Sequence, residues 1–328
     1  MPDESEKTRV SIIVVNYNGK QFLHDCFSAI FRQTYSPSEV IMVDNASRDE
    51  SVAFIREHFP AVIVLVNESN MGFAGGTNVG IRKATGEYIL TLNNDTRIDA
   101  SFLREIIRPM VEDPTVGMCA SKMLFPDGRI NSTGICISRS GAAWDRGMGD
   151  PDMGQYDLQE EVFGPCAGAA LYRRKMLDEI GLFDEDFFLF MEDVDIAFRA
   201  RLSGWQCIYI PSARVIHIHG GTAGFKSDTS VYYGNRNLVW YVMKNCPFRI
   251  LLTSFPWIIG RNCADIPYYL FHGKGRVILR AKIDMLRGFR TMVKKRRSIK
   301  KTVPDAAIDR WIHTWNTMKG KEHVGHKI

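Results

Sequence analysis

No two cysteines in this chain stand in C-x-x-C spacing, and the seven present, at 26, 119, 136, 166, 207, 246 and 263, are scattered and odd in number. That pattern argues against a disulfide framework and a zinc site, and it points to a reducing compartment. No apolar run reaches the ~20 uninterrupted residues that a spanning helix requires. The closest, 250–271, is broken by Arg261, Asp265 and prolines. Residues 1–9 are polar and charged, so no signal peptide is expected there. The glycine-rich stretch 70–80 matches neither G-x-G-x-x-G nor G-x-x-x-x-G-K-[ST], which weakens dinucleotide and P-loop readings. Internal repeats and low-complexity segments are absent. Acidic residues are scarce in one place: across 274–301 Asp284 stands alone among basic side chains.

What is present suits a large α/β protein. Apolar residues make up 45% and charged residues 24% of 328, enough to bury a sizeable core and to exclude disorder. Residues 10–15 form a β-branched run interrupted only by Ser11, as expected of a buried parallel strand. Apolar residues then recur at helical spacing from Phe22 to Phe31. A second strand is expected over 40–43, with Ser47 and Glu50 forming a capping box for the next helix. A third strand over 62–66 leads through a glycine-rich turn to a short helix around 78–84. A fourth, 88–92, ends at Asn93-Asn94-Asp95, and Asp99 is placed to cap a helix carrying Phe102 to Met110. This alternation predicts a mostly parallel sheet with helices on both faces, whose ligands bind at the carboxyl ends of the strands. Residues 126–163 read as a loop-rich insertion, and the chain beyond 224 reads as helical and peripheral.

The polar clusters fall where such a sheet binds ligands. Asn16, Asn18, Asp44 and Asn45 follow strands and can bond the edge of a base or ribose. The glycines of 70–80 let backbone approach a ligand closely. Asp95 is a candidate ligand for Mg²⁺ or Mn²⁺, which takes one or two carboxylates beside phosphate oxygens. His217 and His219 alternate on a strand, and either could complete the metal shell. Farther on, the apolar run 187–191 ends in Glu192, Asp193 and Asp195 at the start of a helix. An apolar wall raises the proton affinity of such a carboxylate, as a general base for a hydroxyl requires. The basic stretch 274–301, preceded by Trp257, Tyr268, Tyr269 and Phe271, suits an anionic surface. Without a nucleic-acid motif, an anionic membrane surface is expected and nucleic acid is not.

Together, the segments 10–19, 43–47, 70–80, 92–96, 181–185, 192–205, 211–220, Tyr232-Tyr233 and Arg236-Asn237 resemble the family 2 inverting glycosyltransferases of the GT-A fold. The rhamnosyltransferase- and galactofuranosyltransferase-like branch is the nearest pattern, over roughly 10–247. The resemblance implies an α/β GT-A domain over 1–225 and a basic helical region over 226–328. It makes Asp44 a base-recognition residue and Asp95 the metal-binding carboxylate, with His217 near the diphosphate. Asn16, Asn18, Asn45, Asn70, Gly72, Asn78 and Asn94 complete the nucleotide-sugar site. Asp193 becomes the catalytic base beside Glu192, with Asp195, Arg199, Trp205 and His219 orienting it or meeting the acceptor. Asn93 stands where many members carry a first Asp, a departure that bears on metal dependence. No Q-x-x-R-W follows the base, so a non-processive enzyme is expected. The implied donor is dTDP- or UDP-linked, the implied cofactor Mg²⁺ or Mn²⁺. The implied acceptor is a glycolipid or envelope polysaccharide at the cytoplasmic face of the membrane. A nucleotidylyltransferase and a non-catalytic nucleotide-sugar-binding protein are the competing readings.

Overall fold

The β-branched run at the start becomes β1 (Val10–Asn16), and its side chains alternate between two cores. Ile13 joins Ile41 and Ile89 on one side of the sheet, while Ile12 and Val14 join Val40, Met42 and Leu90 on the other. Both faces are therefore covered, which is why the strand is apolar apart from Ser11 and the terminal Asn16. The computed structural model describes residues 9–218 and 227–314. In its first half α1 (Lys20–Phe31), β2 (Glu39–Asp44), α2 (Ser51–His58), β3 (Ile63–Val66), α3 (Gly72–Lys83) and β4 (Tyr88–Asn93) follow β1. These strands pair in parallel in the order β3-β2-β1-β4.

The second half continues with β5 (Thr96–Ile98), α4 (Phe102–Glu112) and β6 (Val116–Leu124). The insertion holds four short strands: β7 (Ile130–Ser132), β8 (Ile135–Ser138), β9 (Ala143–Asp145) and β10 (Glu160–Glu161). Then come β11 (Ala169–Arg173), α5 (Arg174–Ile180), α6 (Glu192–Leu202) and β12 (Gln206–His217). β11 runs antiparallel between β4 and β6, and β12 lies parallel to β6. The last elements are α7 (Asp228–Asn245), α8 (Phe248–Phe271), α9 (Gly275–Arg296), α10 (Asp305–Asp309) and β13 (Ile312–His313), which pairs with β8.

Four local expectations are corrected. The glycine-rich stretch is not a turn: α3 begins at Gly72, six residues before the expected start. Its glycines face the sheet, where a Cβ on Gly76 would lie 2.9 Å from Val15 and one on Gly80 2.5 Å from Ile13. The capping box does not form, because Ser47 Oγ instead accepts from the Asn18 amide N–H at 2.9 Å and Glu50 pairs with Lys20 at 2.7 Å. Asp99 offers α4 only its main-chain carbonyl, to Phe102 N–H at 3.0 Å. The region after 224 is helical but not wholly peripheral, since Leu238, Val239, Trp240, Tyr241 and Val242 join the core.

Candidate active site

The carboxyl ends of β1 and β2 meet in register, Asn16 opposite Asp44. Asn16 Nδ2 donates to Asp44 Oδ1 at 2.9 Å, and Asn94 Nδ2 donates to Asn16 Oδ1 at 2.7 Å. Asp44 Oδ2 accepts from Ser47 N–H at 2.8 Å. Position 19 must be glycine here, because a Cβ would stand 2.1 Å from Asn94 Nδ2. Asn18 closes the adjacent turn, accepting from Arg48 N–H at 2.8 Å. Asn45 ties in the start of α3, donating to Gly72 O at 2.9 Å, and Asn70 accepts from Gly72 N–H at 2.8 Å. Seven of the eight expected nucleotide-site residues thus form one connected rim. Asn78 stands apart: it donates to Phe183 O at 2.8 Å and Glu185 Oε1 at 2.9 Å, holding the segment ahead of α6.

Beside this rim, β12 brings His217 opposite Thr96. Its Nδ1 lies 2.8 Å from Asn131 Oδ1, so that nitrogen donates. Nε2 faces Asn93 Nδ2 at 3.3 Å and Asp95 Oδ1 at 3.2 Å. A carboxylate and an imidazole nitrogen facing each other are a fitting donor pair for a divalent cation, with Asn131 fixing the ring. No group of three or more His, Cys, Asp or Glu with metal-site geometry occurs among the described residues. Any cation here would therefore draw further ligands from its substrate. His219 lies outside the described residues.

The acidic cluster opens α6. Phe188, Phe190 and Met191, all non-glycine, adopt left-handed φ of 65°, 67° and 69° just before it. Such strain persists only when the surroundings over-determine it. Here the fully buried Asn237 of α7 does so, its Nδ2 reaching the carbonyls of Phe187, Leu189 and Phe190 at 2.8–2.9 Å. Arg236 adds contacts to Asp186 O at 2.8 Å and Phe187 O at 3.1 Å. Asp193 then accepts from Val194 N–H at 2.8 Å and Ala167 N–H at 3.4 Å. Burial, then the nearby Asp145 charge, pushes its carboxyl up to about 6. Glu192 is pushed well up by burial and by Asp193, and its Oε2 is buried without a hydrogen bond. Of the pair, Asp193 is the one poised to take a proton near neutral pH.

Asp195 and Arg199 face the protein interior instead. Arg199 Nε donates to Asp195 at 2.9 Å, and Lys244 and Asn245 occupy the other approaches at 2.8 Å. Burial alone would raise Asp195, but Lys244 and Arg199 hold it down at about 2. Trp205 also lies elsewhere, donating to Glu179 at 3.1 Å beside α5. Sequence reasoning missed Asp145 and Asn131, and it named Asn237 as part of the family pattern without giving it a role. Asp145 sits in the irregular insertion, where no periodicity marks it, and its carboxyl, raised first by burial, feels Ser132, His217 and Cys166.

The comparisons with known proteins bear on the family and the fold. The model of glycosyl transferase family 2 matches residues 11–181, just over half the chain. The chain belongs to that family. A match of this extent makes it a glycosyltransferase and removes support from the nucleotidylyltransferase and binding-protein readings. It is 27% identical over 219 residues to the O-antigen biosynthesis protein RfbC of Myxococcus xanthus, covering 64% of this chain and 17% of that one. With N-acetylglucosaminyl-diphospho-decaprenol L-rhamnosyltransferase of Mycobacterium tuberculosis it shares 22% identity, covering 84% of this chain and 97% of that one. Among solved structures, a Pyrobaculum calidifontis mannosyltransferase with GDP-Man and Mn²⁺ superposes with TM-score 0.56 at 19% identity, over 94% of this chain and 88% of that one. GalNAc-T7 with UDP, GalNAc and Mn²⁺ gives 0.58 at 17% identity, over 74% and 48%. These neighbours establish the GT-A fold, with its central sheet between helices and its helical C-terminal region.

Proposed function

We propose that this glycosyltransferase inverts the anomeric centre and acts non-processively, moving a sugar from a dTDP- or UDP-linked donor to a hydroxyl of a lipid-linked or envelope-polysaccharide acceptor. The observation that carries the reading is Asp193, pushed up to about 6 and held by main-chain N–H groups behind a strained loop. Asp193 takes the proton of the acceptor hydroxyl as its oxygen bonds the anomeric carbon. The carbon–oxygen bond to the diphosphate breaks on the opposite face, and the nucleoside diphosphate leaves with that electron pair. Asp44, braced by Asn16 and Ser47, accepts from the imino N–H of the pyrimidine. Asp95 and His217 would hold Mg²⁺ or Mn²⁺, which when bound neutralises charge on the leaving diphosphate. Rhamnosyl transfer is favoured by the mycobacterial relative, whose name specifies both that sugar and a lipid diphosphate acceptor. A lipid-linked acceptor puts the reaction at the cytoplasmic face of an anionic bilayer. Nucleoside diphosphate release with a panel of donors, in wild type and Asp193→Asn, tests the proposal. Unimpaired release by the variant in the presence of acceptor would remove Asp193 from the role of base.

A further inference from the structure

The basic run ending at Lys301 is the part of the sequence that most suggests an anchor, yet three of its lysines are tied to the protein's own acids. Lys295 pairs with Asp184 and Asp186, Lys300 with Glu179 at 2.9 Å, and Lys301 with Asp305. The unpartnered surface lies just upstream. Of the large apolar side chains exposed among the described residues, twelve fall between Phe248 and Phe289 and seven elsewhere. On α8, Phe248, Leu252, Phe255 and Ile259 follow spacings of four, three and four, which is one helix face, while Ile250, Ser254 and Ile258 are buried on the other. On α9, Leu279, Ile283 and Leu286 repeat that stripe, with Leu286 66% exposed.

Charge identifies the occupant. The α9 stripe is flanked by Arg276, Arg280, Arg287 and Arg290, and the side chains of Arg280 and Arg287 are 78% and 76% exposed. The helix carries one acid, Asp284, shared between Arg287 at 2.9 Å and Arg280 at 3.8 Å. No helix among the described residues is long and apolar enough to cross a membrane. We infer that α8 and α9 form a docking surface that lies on an anionic lipid bilayer. Their apolar stripes enter the acyl boundary and the α9 arginines meet lipid phosphates. The inference deepens the proposed reaction by naming the surface where its acceptor is met.

The test is flotation of the full chain with phosphatidylcholine vesicles, with and without phosphatidylglycerol, alongside donor hydrolysis in solution and mass by light scattering. Wild type floats with the anionic vesicles and releases them at high salt. Leu279→Glu and Leu286→Glu each lower partitioning by about tenfold, and Arg280→Glu with Arg287→Glu abolishes the preference for phosphatidylglycerol. Lys300→Gln floats like wild type, and all variants keep wild-type donor hydrolysis. Flotation without hydrolysis in wild type would uphold the docking surface while removing the proposed reaction. Absent flotation, or flotation untouched by the leucine variants, overturns the inference. So does conversion of a wild-type dimer to a monomer by those variants, because a second copy would then cover this face.

Discussion

Replacing Asn237 by alanine should uncouple the catalytic loop from the body of the protein. The side chain is fully buried, and its amide nitrogen reaches three loop carbonyls at 2.8–2.9 Å. An amide carries two N–H donors, so about two of those carbonyls lose a partner, at about 1–3 kcal/mol each. Relaxation of Phe188, Phe190 and Met191 from the left-handed region returns part of that, since each costs about 1–3 kcal/mol to hold. The expected net loss is about 2–4 kcal/mol of folding stability, read by urea unfolding. Met191 is the residue on which α6 begins, so a relaxed loop also displaces Asp193. Turnover should fall on the order of 10–100-fold, while calorimetric donor affinity changes by no more than about threefold, because the hydrogen bonds among Asn16, Asp44 and Asn94 do not involve the loop, which meets the rim through Phe188 at Gly72 and Ala74. Unchanged stability together with unchanged turnover would refute the claim that Asn237 sets this loop. A loss of donor affinity matching the loss of turnover would instead make the loop part of the donor site.

Four further outcomes are expected. With Asp193 as base, transfer should decline as pH falls through about 6, and Asp145→Asn should move that limb to lower pH; a limb unmoved would detach Asp145 from the base. Because the folded value of Asp193 is raised, the folded state binds its proton more tightly, and stability falls as pH climbs from the unfolded carboxylate range through about 6. Asp193→Asn should therefore resist urea better than wild type at neutral pH despite its inactivity, and weaker resistance would contradict the burial argument. Asp195, held at about 2, works with the opposite sign: its contribution is present above the unfolded carboxylate range and lost as pH drops toward 2. Asp195→Asn at neutral pH leaves Arg199 without its buried counter-charge and Lys244 with Asp184 alone, and should cost about 3 kcal/mol in urea unfolding; a cost near zero would mean that water reaches the site. His217→Ala should abolish the difference between Mn²⁺ and EDTA in donor hydrolysis, and a preserved difference would place the cation elsewhere.

Much of the sheet was legible because its signals are local. The apolar runs of β1, β2 and β4 are continuous, and the side chains that end them, Asn16, Asp44 and Asn93, mark where a parallel sheet opens to a ligand. The carboxylates at 192–195 were equally visible, but their division of labour was not. Asp193 and Asp195 differ only in which side of α6 they leave, and the fate of Asp195 depends on Lys244 and Asn245, about 50 positions later. The start of α3 was hidden because glycine disfavours helices in isolation, whereas here its missing side chain lets the helix sit on Val15 and Ile13. Asp145 and Asn131 lie in an insertion with no repeating pattern. For the basic residues near 300, sequence shows the charge but not the acids, Asp184 and Glu179, that meet Lys295 and Lys300 across the fold.

The central claim is that Asp193 is the base of a nucleotide-sugar transferase. Nucleotide release from UDP-, dTDP- and GDP-sugars, with Mg²⁺, Mn²⁺ or EDTA, in wild type and Asp193→Asn, tests it most directly. Metal-dependent release from one uridine or deoxythymidine donor is expected, lost in the variant although calorimetry still detects that donor binding. Equal release by both proteins would contradict it.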